Sequence, residues 1–173
     1  MDQERLNALE VALHNEMRER EFYLKNAERT INPVGKAMFK QIADEELEHY
    51  DRLKQLHESW QNQGKWPETV PLQVAESKLE NTLKSVIQQV EQAEPGDDDD
   101  LQAVRTAIGF EAESGKFYEK LRDASTDQKE KDFFALMAKI EFEHLASLKE
   151  TEEYFLDPAQ WYQKMEHGGL DGA

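Results

Sequence analysis

Residues 8–54 and 103–149 of this chain carry the same pattern twice. Aligned without a gap at an offset of 95, they share 14 identities in 47 positions. Ala8, Ala12, Glu16, Phe22, Tyr23, Lys25, Lys36, Phe39, Ala43, Glu46, Glu48, His49, Leu53 and Lys54 recur as Ala103, Ala107, Glu111, Phe117, Tyr118, Lys120, Lys131, Phe134, Ala138, Glu141, Glu143, His144, Leu148 and Lys149. Several further pairs are apolar in both copies, among them Leu9/Val104, Leu13/Ile108, Ile42/Met137 and Leu47/Phe142. Unrelated helices match far less often, so the chain contains two copies of one structural unit. At 173 residues it is long enough to bury a real core.

Each unit has the periodicity of a helical hairpin. Leu6, Leu9, Leu13, Met17, Leu24 and Ala27 recur at steps of three and four or their multiples. After a break at Asn32-Pro33, Met38, Phe39, Ile42, Leu53 and Leu56 continue in the same manner. Asn32 suits a helix cap and Pro33 a first helical position. In the second unit Leu101, Val104, Ile108, Tyr118 and Leu121 precede a capping cluster at Ser125-Thr126-Asp127, and Phe133, Phe134, Met137, Leu145 and Leu148 follow it. The acidic run Asp97–Asp100 suits the solvated start of the third long helix, where the helix dipole favours negative charge. A calcium site there is the less favoured alternative.

Short turns make the helices of each hairpin antiparallel neighbours. The expected architecture is an all-α four-helix bundle forming a single domain over residues 1–173. Hairpin 1 spans about 3–60, a crossover 61–99, hairpin 2 about 100–156 and a C-terminal tail 157–173. The long crossover implies a strap along the bundle, with a short helix near Val74–Val90. Trp161 and Tyr162 are expected to cover the bundle, and the Gly-rich end to be loose.

Six polar residues sit where the stripes call for apolar ones. Glu46 and His49 interrupt the inward face of helix two, and Glu141 and His144 that of helix four. Glu16 lies between Leu13 and Tyr23, and Glu111 between Ile108 and Tyr118. Glu16 precedes the first turn by about as many residues as separate Glu46 and His49 from it. At about 1.5 Å per residue all three reach one level, and the repeat gives the second hairpin the same arrangement. Buried carboxylates without compensation are costly, and four of them with two imidazoles in one layer call for cations. Two divalent ions balance four carboxylates, and an oxygen-rich set with one histidine per ion suits iron or manganese.

The repeat also chooses between two candidate partners of His49. The i−4 residue Glu45 is matched by Ile140, whereas the i−3 residue Glu46 is matched by Glu141, so Glu46 and Glu141 are taken as ligands and Glu45 as exterior. Glu48 and Glu143 point away from the layer. Glu19 is expected at the surface, with a spare-ligand role as the alternative, because its counterpart is Ser114. Tyr23 and Tyr118 lie two turns beyond Glu16 and Glu111. They suit either hydrogen bonding to ligand carboxylates or electron supply, or else plain core packing. His14, His57 and His167 have no counterpart and are read as surface residues.

Charge and composition exclude other classes. With 37 acidic and 21 basic residues the net charge is −16, which disfavours nucleic acid and anionic membrane surfaces. No cysteine is present, so disulfides, thiolate metal sites and thiol catalysis are excluded. No apolar run approaches a membrane span, and the N-terminus lacks a signal-like pattern, so a cytoplasmic protein is expected.

The set Glu16 with Phe22-Tyr23, Glu46-Leu-Glu-His49, Glu111 with Phe117-Tyr118, and Glu141-Phe-Glu-His144 resembles the rubrerythrin di-iron domain of the ferritin-like superfamily. The closing Asp157-Pro158, Trp161 and Leu170-Asp-Gly-Ala173 resemble the end of that domain too. The resemblance implies two iron ions per site, with manganese or zinc as substitutes. Glu46 and Glu141 would bridge, Glu16 and Glu111 would be terminal ligands, and His49 and His144 would each complete one position. It further implies reduction of hydrogen peroxide or dioxygen; Tyr23 and Tyr118 are the candidate catalytic side chains, and a homodimer is the expected assembly. Relatives often have another glutamate one turn after the helix-three ligand, where this chain has Ser114, and Glu19 takes the equivalent place on helix one. Without cysteines there is no rubredoxin-type centre in the chain, so electrons must come from a separate donor such as a rubredoxin. Iron storage without catalysis, and a metal-free acidic interaction module, are the competing classes.

Overall fold

The computed structural model describes residues 2–64, 74–90 and 94–168. Six helices occupy them: α1 (Asp2–Arg29), α2 (Pro33–Gln63), α3 (Leu79–Gln89), α4 (Asp98–Ala124), α5 (Gln128–Leu156) and α6 (Pro158–Gly168). The protein is an all-α ferritin-like bundle in which α1/α2 and α4/α5 form two antiparallel hairpins. Among the described residues no helix is long and apolar enough to cross a membrane.

The breaks between helices follow from side chains that replace backbone partners. The Asn32 carboxamide oxygen accepts from the backbone N–H groups of Val34 (2.9 Å) and Gly35 (3.2 Å), and Pro33 opens α2. Asp127 does the same for α5, accepting from Lys129 N–H (2.8 Å) and Glu130 N–H (3.3 Å). Asp97 caps α4 through Asp100 N–H at 2.7 Å. The aspartate run is less solvated than expected. Asp100 is buried, where it accepts from Arg29 at 2.8 Å and from the Thr30 hydroxyl at 2.9 Å.

Those contacts also show how the hairpins pair. Arg29 and Thr30, at the first turn, meet the start of α4. At the opposite end Arg5 meets Thr126 at 3.3 Å and Glu130 at 3.4 Å, beside the second turn. The hairpins therefore lie head to tail, so the turn of each sits at the open end of the other. The end of α2 is then a bundle length away from the start of α4, which is why a strap is needed. Its helix begins at Leu79, not at Val74. Upstream, the carboxylates of Glu48 and Glu45 accept the N–H groups of Ala75 (3.3 Å) and Lys78 (2.9 Å), tying an irregular segment to α2.

Near its return to α4 the strap passes over the ring of Phe155. A Cβ on Gly96 would lie 2.5 Å from that ring and one on Gly35 would lie 2.8 Å from it, so the two glycines make room for it. The tail continues as α6, with Trp161 buried against Tyr154 (ring centroids 5.6 Å apart) and Tyr162 half-buried. The Gly-rich segment 169–173 and the side chain of His167 lie outside the described residues.

Two apolar clusters fill the interior. One, at the first-turn end, contains Tyr23, Met38, Phe39, Ile42, Val104 and Phe155. The other, at the second-turn end, contains Leu9, Leu53, Leu56, Tyr118, Phe134 and Met137. Between them lies a polar layer.

Candidate metal centre

The long helices each place their polar residue near mid-length. Glu111 is 13 residues from both Asp98 and Ala124, the ends of α4. Glu16 is 14 residues from Asp2 and 13 from Arg29 in α1. Only a central residue stays level with its counterpart when two hairpins pair head to tail, so the repeat brings both polar sets to one layer. Glu16, Glu46, His49, Glu111, Glu141 and His144 are each at most 1% exposed.

Their atoms converge in two overlapping groups. Glu16, Glu46, His49 and Glu141 offer atoms within 4.8 Å of one another, and so do Glu46, Glu111, Glu141 and His144. His49 Nδ1 lies 3.1 Å from Glu16 Oε2, 3.1 Å from Glu46 Oε2 and 3.4 Å from Glu141 Oε1. His144 Nδ1 lies 3.4 Å from Glu46 Oε1, 3.4 Å from Glu111 Oε2 and 3.6 Å from Glu141 Oε2. Glu46 and Glu141 thus divide their oxygens between the two imidazoles, whereas Glu16 and Glu111 each face one. The imidazole rings are stacked at 5.9 Å.

Tyr23 of α1 donates its hydroxyl hydrogen to Glu111 Oε1, and Tyr118 of α4 donates to Glu16 Oε1. Each tyrosine engages the outer oxygen of a carboxylate whose inner oxygen faces a histidine. Both phenols are held well above their usual pKa, first by burial and then by the neighbouring carboxylates, so both remain protonated.

Without cations the layer shares protons. Burial, then repulsion from Glu46 and Glu141, keeps Glu16 well above the carboxylate range. Burial is also the first cause of the rise at Glu111. Burial pushes Glu46 and Glu141 upward too, but the histidines outweigh it and hold both below the usual value. Burial opposes charge on His49 and His144, and the surrounding carboxylates overcome it and raise both. These directions favour charge on Glu46, Glu141 and the two imidazoles, and the neutral form of Glu16 and Glu111.

That arrangement leaves polar atoms unserved. Glu46 Oε1, Glu111 Oε2, both oxygens of Glu141 and His144 Nδ1 are buried with no hydrogen-bond partner among the described residues. Native interiors seldom tolerate such a cluster, and cations at the layer would serve all five atoms. The six side chains therefore fit a dinuclear metal centre.

Two expectations need correction. Glu19 is not at the surface: it is 1% exposed, and the Ser114 hydroxyl donates to its two oxygens at 3.1 and 3.2 Å. Burial, then Glu46 and Glu141, pushes its carboxyl up to about 8. The three-residue step from Glu16, which keeps it on the same helix face, was the available signal. Glu45 is not exterior. It is 12% exposed, and its Oε2 lies 2.7 Å from His144 Nε2, on the side of the ring away from the layer. Burial alone would raise Glu45, but the His144 contact leads a set of hydrogen bonds that bring it down to about 2. Glu48 and Glu143 lie at 35% and 40% side-chain exposure, outside the layer. His14 is exposed, and His57 is half-buried, 3.5 Å from Glu10.

Comparison with known proteins agrees with this geometry. The rubrerythrin family model matches residues 7–152, a span that contains all six side chains and both tyrosines. No curated protein and no solved structure gives a significant match. By that match the chain belongs to the rubrerythrin family.

Proposed function

We propose that this protein is a di-iron carboxylate oxidoreductase that reduces hydrogen peroxide or dioxygen with electrons from a separate donor. The observation that carries this reading is the layer of four carboxylates and two imidazoles, with five buried atoms that no group among the described residues satisfies. Glu46 and Glu141 would bridge two ions, because each divides its oxygens between the two histidines. Glu16 with His49, and Glu111 with His144, would complete the two positions.

When bound, iron supplies one-electron redox steps and Lewis acidity. The side chains do the rest. Four carboxylates neutralise the charge of two divalent ions, and the apolar clusters on both sides keep bulk water from the layer. Tyr23 and Tyr118 hold hydroxyl protons on the outer oxygens of Glu111 and Glu16, leaving the inner oxygens for the ions. Peroxide reduction takes up two electrons and two protons and releases two waters. The chain has no cysteine and hence no thiolate-held iron of its own, so the electrons come from an external protein such as a rubredoxin.

The test is anaerobic loading with ferrous iron followed by rapid mixing with peroxide or with air-saturated buffer. Oxidation of about two irons per chain is expected with at least one oxidant. Iron that stays ferrous with both would overturn the assignment.

A further inference from the structure

Besides the Glu19/Ser114 pair, the two halves of the layer differ at a position just outside it. Glu45 of α2 reaches the far edge of the His144 ring, with Oε2 at 2.7 Å from Nε2. The repeat puts Ile140 of α5 at the equivalent place near His49, and Ile140 is fully buried with no polar side-chain atom. The other oxygen of Glu45 is occupied as well. Oε1 accepts from Gln41 Nε2 at 2.7 Å and from the backbone N–H of Lys78, at the start of α3, at 2.9 Å. An ionised carboxylate only accepts, so the hydrogen between Glu45 and His144 belongs to Nε2. A neutral His144 then has its lone pair on Nδ1, the atom that faces Glu46, Glu111 and Glu141 without a partner of its own.

We infer that Glu45 is a positioning residue that fixes the tautomer and ring orientation of His144 for metal binding, making the His144 position the tighter of two otherwise repeated metal positions. The inference rests on the di-metal reading above and adds an order of filling to it. A carboxylate that orients a ligating imidazole through its far nitrogen raises ligand basicity and reduces the reorganisation that binding requires. Only a carboxylate serves here, because acceptors are needed on both sides: His144 on one, Gln41 and Lys78 on the other. A glutamine must turn its amide N–H₂ toward one of them.

The test is titration of the metal-free full chain with Co²⁺ at constant pH, followed by absorption, for the wild type and for Glu45→Gln. Two resolved steps are expected in the wild type. In the variant the tighter step should weaken by about 10–100-fold while the other stays in place. Equal weakening of both steps, no change in either, or a wild type with indistinguishable steps would overturn the inference while leaving the metal centre intact. A wild type that binds no Co²⁺ would remove the metal reading together with it. A second measurement requires no variant. In the Zn²⁺-loaded wild type, nitrogen-15 NMR of the histidine rings should show His144 with its hydrogen on Nε2, and a hydrogen on Nδ1 would overturn the inference.

Discussion

Ser114 hydrogen-bonds Glu19, the residue that stands 95 positions before it and occupies the same place in the other copy of the repeat. His49 and His144 are likewise repeat mates in direct contact, ring over ring. Residues meet their own counterparts only along the pseudo-two-fold axis that relates the hairpins, so the axis runs through the polar layer. Glu19 and Ser114 break the symmetry there, one carboxylate standing where two equal side chains would repel.

Glu19 gives the metal-free protein a pH dependence. Its carboxyl titrates near 8 in the folded chain against an ordinary value of 4.5. The folded state therefore holds this proton more tightly than the unfolded state. The associated stability is present below about pH 4.5 and is lost as pH rises through 8. Glu19→Gln should remove that loss, stabilising the apoprotein relative to wild type at pH 9 by an amount on the order of 1–4 kcal/mol, with the difference shrinking toward pH 5. Urea unfolding of both proteins at the two pH values measures it.

Removing either imidazole should separate the two positions. His49→Ala and His144→Ala each leave three carboxylates of one group and the complete set of the other, so each variant should retain about one ion where wild type holds about two. Metal analysis after loading and desalting checks this. Two ions retained in both variants would place the binding elsewhere.

Loading should release protons. In the metal-free protein burial pushes Glu16 and Glu111 toward the neutral form, and the surrounding carboxylates push His49 and His144 toward the charged form. Binding two divalent ions requires four carboxylates and two neutral imidazoles, so about four protons should appear per pair of ions near pH 7. A pH-stat titration counts them. For the same reason affinity should fall steeply as pH decreases.

The tyrosines should matter even without a bound metal. Tyr23→Phe and Tyr118→Phe each remove a donor from a buried carboxyl group. Loss of such a hydrogen bond costs about 1–3 kcal/mol, which calorimetry of the apoprotein should detect as a lower melting temperature for each variant. Unchanged melting in both would mean that the hydroxyls are not engaged as described.

The hairpins and the six layer residues were legible because two independent regularities, helical spacing and the 95-residue repeat, agreed on them. The residues that escaped were those for which the repeat misleads. Ile140 ruled out Glu45 as a ligand, and the structure keeps it outside the layer. Matching within the repeat, however, gives no hint that the edge of an α5 ring would rest against it. Ser114 made Glu19 look dispensable, although a hydroxyl is a suitable neighbour for a buried carboxyl. The strap helix begins at Leu79, later than the expected bound at Val74, where carboxylates on α2 accept the backbone N–H groups of Ala75 and Lys78. Pairings between distant segments are not encoded in local periodicity.

The interior described above amounts to two modest oily compartments joined at a charged waist. Neither compartment spans the molecule, so cohesion across the middle depends on whatever cancels the charge there. Ions do this with metal–ligand bonds, whereas protons do it only by leaving lone pairs stranded. A chelator is therefore expected to loosen the bundle from its centre outward, and metal supply to govern how long the polypeptide persists.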